Sequence, residues 1–189
     1  YRRLDVPELE ALIGRGVFYG AAVSEAPSMT GQDVVVIGGG NSAVQASQKG
    51  AEGRYYRALA MGQLADVDHD YGMDAVKKME QDCLAVIESD ARFDHAAGHR
   101  FVGILYMECP GPPTSIGSMR KAKKQLDLAL DLAPDWPPNR LWRGRLAREE
   151  GDLNRAKKEF EAVIEAPVPA GLATEGEEWR KHAREELAK

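Results

Sequence analysis

The sequence predicts a mainly α protein, a stack of helical hairpins with a short α/β fragment at its N-terminal end. Three observations carry that reading. From about residue 53 onward, stretches rich in Ala, Leu, Lys, Glu and Arg place apolar residues three and four apart, the pattern of helices with one buried face. Shifting the chain by 34 residues superimposes Ala122 on Ala156, Leu126 on Phe160 and Ala129 on Val163, so one helix face recurs. Residues 1–50, by contrast, are rich in glycine and β-branched residues, and the apolar run 34–37 between Asp33 and Gly38 has the composition of a strand.

With 43% apolar and 29% charged residues, the 189-residue chain belongs to the soluble globular class and is neither a disordered tail nor a fibre. Its formal net charge of -5 comes from 30 acidic and 25 basic residues spread along the chain. No basic stripe invites nucleic acid, and no polybasic segment invites a membrane surface. No apolar run reaches the roughly 20 residues that span a bilayer. Cys83 and Cys109 lie far apart without a CxxC spacing and read as two small core residues. No signal-peptide pattern is present, and the chain begins at Tyr1. Its location stays open between the cytoplasm and, with an upstream signal removed, the periplasm.

Taken in order, the first element is residues 33–47, DVVVIGGGNSAVQAS, a strand running into a glycine turn and a helix start. Gly38, Gly40 and Ala43, with Gly39 between the glycines, meet the G-x-G-x-x-A spacing of a dinucleotide site. There the first glycine makes the tight turn, the second admits the pyrophosphate, and the helix N-terminus faces the anion. The surrounding stretch GRGVFYGAAVSEAPSMTGQDVVVIGGGNSA, residues 14–43, resembles the thioredoxin reductase family of flavoproteins at the start of its NADPH domain. That resemblance implies FAD and NADPH as cofactors and disulfide reduction as the activity. The sequence departs from it twice. The family's CxxC has no counterpart in GVFYGAAVSEA, which excludes disulfide reduction by that route. A second parallel strand is due about 20 residues after the glycines, and RYYRALAMGQLADVD is helical in period instead. The glycines therefore read as vestiges in a truncated fragment, residues 1–50. No cofactor is expected, and NADPH or FAD belongs only to the alternative in which the chain is an oxidoreductase of that type.

The boundary falls near QKGAEGR, residues 48–54, where Gly50 and Gly53 bracket a polar stretch. The helical-repeat domain, residues 53–189, comprises about three hairpins and a closing helix. GRYYRALAMGQLADVD and GMDAVKKMEQDCLAVIE make the first hairpin, and HRFVGILYMEC with AKKQLDLALDLAP the second. Between the last two, PGPPTSI extends the turn because its prolines cannot continue a helix. The third, RLWRGRLAREEGDLNRAKKEFEAVIE, looks like another copy of the repeat, a likeness that implies a close helix approach at Gly144 and packing of the second helix at Ala156. TEGEEWRKHAREELAK opens with Thr174 and Glu177 at capping-box spacing and reads as the closing helix.

The 34-residue period, and the small–large–small series Ala122, Leu126 and Ala129 ending at Pro134, resemble the tetratricopeptide repeat. Gly103 and Tyr106 sit at that family's glycine and tyrosine spacing. The stretch HRFVGILYMECPGPPTSIGSMRKAKKQLDLALDLAPDWPPNRLW is similar to the T component of tripartite ATP-independent periplasmic transporters. That similarity implies an exported helical-hairpin protein that serves a transporter. The whole chain reads as a join, near residue 50, between the interior of one protein and a helical-repeat domain from another.

The expected function is non-catalytic protein–protein interaction, since stacked hairpins make a concave surface lined by the first helix of each pair. By resemblance to the repeat family, its groove-facing positions are Arg100, Ile104 and Met107 in one hairpin and Leu141, Arg145 and Arg148 in the next. Three arginines suit an acidic or carboxylate-bearing peptide or protein; the plain alternative is that they are solvated on an outer face. Two other readings are an accessory component of a transporter or oxidoreductase, and a fused chain with no selected function. No catalytic residue is assigned. Asp66, Asp68 and Asp70 alternate as in a calcium loop, but Gly72 comes one residue late and Lys77 stands where the glutamate belongs, so a solvated turn is expected. His95 and His99 could share a helix face but have no evident third ligand. Trp136, Trp142, Trp179 and Phe160 read as packing between helices.

Overall fold

Seven helices and no strand make up the described residues of the computed structural model, which are 51–65, 69–169 and 171–189. The fragment bearing Gly38, Gly39, Gly40 and Ala43 lies outside them, as do Asp66 and Asp68. In chain order the helices are α1 (Ala51–Ala65), α2 (His69–Ser89), α3 (Phe93–Glu108), α4 (Met119–Leu132), α5 (Pro137–Glu149), α6 (Leu153–Glu165) and α7 (Ala173–Leu187). Because α2 begins at His69, Gly72 and Lys77 are helical, and the expected turn does not extend to them. Gly72 instead lets α1 come close, since a Cβ there would lie 2.8 Å from that of Ala65.

Local chemistry sets the ends of the later helices. Ser118 caps α4 by accepting from the Lys121 N–H, and Asp152 caps α6 by accepting from the Arg155 N–H. Pro137 and Pro138 occupy the first turn of α5, where their missing N–H groups remove no helical bond. At its other end Gly151 adopts a left-handed conformation, φ 79°. The Gly151 N–H donates to the Arg148 carbonyl and the Asp152 N–H to the Ala147 carbonyl, a Schellman closure whose last residue is also the cap of α6. The connection 109–118 folds on itself, with the Gly117 N–H donating to Pro110 and the Ser118 N–H to Tyr106. Gly117 has no room for a side chain, because its Cβ would lie 1.9 Å from the Cys109 carbonyl oxygen. Two helix starts depart from the sequence reading. The helix α3 opens with a left-handed turn at Asp94, His95 and Ala96. The capping box at Thr174 and Glu177 does not form, since α7 starts two residues earlier with Leu172 at the cap position and no side-chain cap bond.

Packing follows chain order: α1 against α2, α3 against α4, α5 against α6, and α7 against α6. The odd-numbered helices also touch in sequence, α1 with α3, α3 with α5, and α5 with α7. One core joins Met61, Val76, Met79 and Cys83 to Val102, Leu105, Leu126 and Leu146; a second joins Leu141, Phe160 and Val163 to Ala183. All six residues superimposed by the 34-residue shift are buried. Two of the six, Leu126 and Phe160, lie against glycines of the preceding helix. A Cβ on Gly103 would stand 2.7 Å from Leu126, and one on Gly144 would stand 2.6 Å from Phe160.

Candidate functional site

The six groove positions divide according to what covers them. Leu141, Arg145 and Arg148 lie four and three apart along α5, so they share one helix face. The helix α7 touches α5, with Glu186 on both arginines, Ala183 in the core that holds Leu141, and Trp179 against Trp136 just before α5, and these three residues repeat the same spacing. Leu141 is 4% exposed and shares a core with Ala156, Phe160, Val163 and Ala183, so its expected place on an open surface is corrected to one in the core that α5 shares with α6 and α7. An apolar side chain on an otherwise charged stripe draws the next amphipathic helix onto itself.

The two arginines of that stripe meet on one carboxylate. Arg145 Nε donates to Glu186 Oε1 at 3.1 Å, Arg148 Nη1 donates to Glu186 Oε2, and Arg148 Nη2 donates to the Glu186 carbonyl oxygen. Lys189 Nζ adds a third cation at 3.0 Å from Oε1. Burial raises the Glu186 carboxyl, but the Lys189 hydrogen bond and the charges of Arg145, Lys189 and Arg148 outweigh it and hold the group below its ordinary value. The guanidinium planes also rest on rings, Arg145 over Trp142 at 4.5 Å and Arg148 over Phe160 at 5.2 Å from the ring centres.

Beside this cluster opens a cleft of about 560 Å³, lined by Met107 and Glu108 of α3, Met119 of α4, Arg145, Arg148 and Glu149 of α5, and Glu186 and Lys189. The structure thus gathers Met107, Arg145 and Arg148 at one place. Arg100 is engaged elsewhere: its Nη1 donates to Asn139 Oδ1 at 2.9 Å and to the His95 carbonyl at 3.3 Å. Ile104 is half-buried and does not line the cleft. Sequence reasoning missed Glu108, Met119, Glu149, Glu186 and Lys189. The available signal was the four-and-three spacing of Trp179, Ala183 and Glu186, which matches the stripe on α5.

The histidines do not act together. His95, in the left-handed turn, stacks on Trp136 at 3.8 Å, whereas buried His99 shares a hydrogen bond with Gln125 at 2.6 Å. Trp136 in turn meets Trp179 edge-on at 5.2 Å. Asn139, fully buried, ties this junction together by donating to the carbonyls of His95, Ala129 and Ala133 while accepting from Arg100. Among the described residues no helix is long and apolar enough to cross a membrane. Compared with models of known families the chain matches none, and compared with curated proteins it has no match.

Proposed function

We propose that the chain is a non-catalytic interaction scaffold of the tetratricopeptide type that takes an acidic peptide or protein segment along the faces of α3 and α5. One observation carries this reading: Arg145 and Arg148 already converge on a carboxylate, that of Glu186. Two guanidinium groups held on aromatic rings make a preformed receptor for a planar anion. The sequential contacts of α1, α3, α5 and α7 support the stacked arrangement, in which the first helices of the hairpins share one side. Met107 and Met119 add apolar, adaptable side chains beside the arginines.

The experiment is fluorescence anisotropy with a panel of labelled dodecapeptides, acidic and uncharged, against the full chain and the Arg145→Glu/Arg148→Glu variant. Acidic members bind the parent and lose at least about tenfold in affinity on charge reversal, as expected when hydrogen bonds to a charged group are removed. Equal binding of acidic and uncharged peptides, or no effect of the reversal, sinks the reading.

A further inference from the structure

We infer that α7 is an internal ligand of the arginine pair, so that an acidic partner gains Arg145 and Arg148 only by exchange with Glu186. This rests on the scaffold reading above and names its regulation. The carboxylate of Glu186 is already saturated by Arg145, Arg148 and Lys189. The rest of the cleft lining contributes Glu108 and Glu149, so a carboxylate added beside Glu186 would set four anions against those three cations. Replacing Glu186 keeps the count of charges at the arginines unchanged. Exchange, rather than addition, is what the electrostatics allow.

The way α7 is held suits exchange. Its buried residues are Gly176, Ala183 and Glu186. Neighbouring helices instead insert a large apolar side chain, Leu126 from α4 and Phe160 from α6, each fully buried. The helix has no side-chain cap bond at its start. Its two larger anchors are half-buried Trp179 against Trp136 and the ion cluster on Glu186. An element with little buried apolar surface belongs to the part of a protein that opens first. What α7 presents to α5, an aromatic, a small residue and a glutamate at positions 179, 183 and 186, also describes the partner: an amphipathic helix with an acidic residue one turn past a small one.

The test uses the full chain and a fluorescein-labelled peptide of residues 173–189, the sequence of α7 supplied in trans. Hydrogen exchange of α7 amides is followed in the parent and in Glu186→Gln. The inference expects α7 exchange at least about tenfold faster in Glu186→Gln with α5 and α6 unchanged. It also expects the labelled peptide to bind that variant at least about tenfold more tightly than the parent, because the competing segment is released. Unchanged exchange in α5 and α6 separates release of α7 from a general loss of fold. Equal peptide affinity for parent and variant, or unchanged α7 exchange, overturns the inference. If acidic dodecapeptides still bind the parent and lose affinity on charge reversal, the scaffold reading survives that result; if they do not, both fall.

Discussion

Asp82 and Glu186 are buried carboxylates kept ionised by different neighbours, and each marks a place where one side chain decides a packing arrangement. Asp82 is fully buried between α1 and α2, accepting from Arg57 Nε at 2.7 Å and Nη2 at 2.5 Å, with Lys78 Nζ at 3.2 Å. Burial raises its carboxyl, yet the bonds and charges of Arg57 and Lys78 prevail and hold it below its ordinary value. The Asp82 charge also helps burial push the adjacent Cys83 thiol up to about 12, so this cysteine packs as a small apolar residue. Asp82→Ala strands the Arg57 guanidinium and is expected to cost about 3–5 kcal/mol in urea unfolding. Replacing both partners, Arg57→Met with Asp82→Leu, should recover most of that. A loss below about 1 kcal/mol in the single variant would show that the pair is solvated. Neither carboxylate stands out in the sequence, because Asp and Glu within a helical run look like any solvated face until a partner 25 or more residues away is known.

Between helices, the decisive contact is glycine against a large side chain. Phe160 is fully buried and its ring lies under Gly144, where a methyl group would stand 2.6 Å from it. Gly144→Ala is therefore expected to destabilise by about 1–3 kcal/mol through overpacking. Phe160→Leu clears part of the space, so the double variant should lose less than the sum of the single ones in thermal or urea melts. Strict additivity would place the methyl group elsewhere. The sequence marked Gly144 as a close approach and Phe160 as packing between helices, and the structure shows that the two meet. The start of α7 was not legible in sequence. Val168 folds over Gly176, where a Cβ would meet it at 2.5 Å, and the helix begins at Ala173 instead of using Thr174 as its cap. A packing contact across the turn outweighed a cap worth on the order of 1 kcal/mol. The left-handed turn at Asp94, His95 and Ala96 was equally unreadable: its supports, Trp136 and Asn139, come from the next hairpin.

For the whole molecule, Asp82 and Glu186 contribute to the response to acid. Both have carboxyls lowered in the folded state from ordinary values of 3.8 and 4.5. A lowered carboxylate contributes stability that is fully present above its unfolded value and lost as pH falls through the folded one. The contribution of these two groups should thus be constant from neutral pH down to about 5 and be lost progressively as the pH falls past 4.5 and 3.8 towards the lowered folded-state values. Urea midpoints measured from pH 7 to pH 3 should show that fall, and Asp82→Asn should flatten part of it. A slope centred near pH 6 would point to histidine instead.

The run of helices and their buried faces could be read from the residues alone, because periodicities of three and four residues act within a single hairpin. Residues 122, 126, 129, 156, 160 and 163 are buried for that reason. The sequence also marked Arg145 and Arg148 as cations on a shared face. Which of those faces is covered came from the packing of distant helices. The helix α7 returns to α5, adds Ala183 to the core that holds Leu141 and seats Glu186 on both arginines. That outcome depends on two helices about 40 residues apart in sequence meeting in space, and local periodicity carries no information about such a meeting.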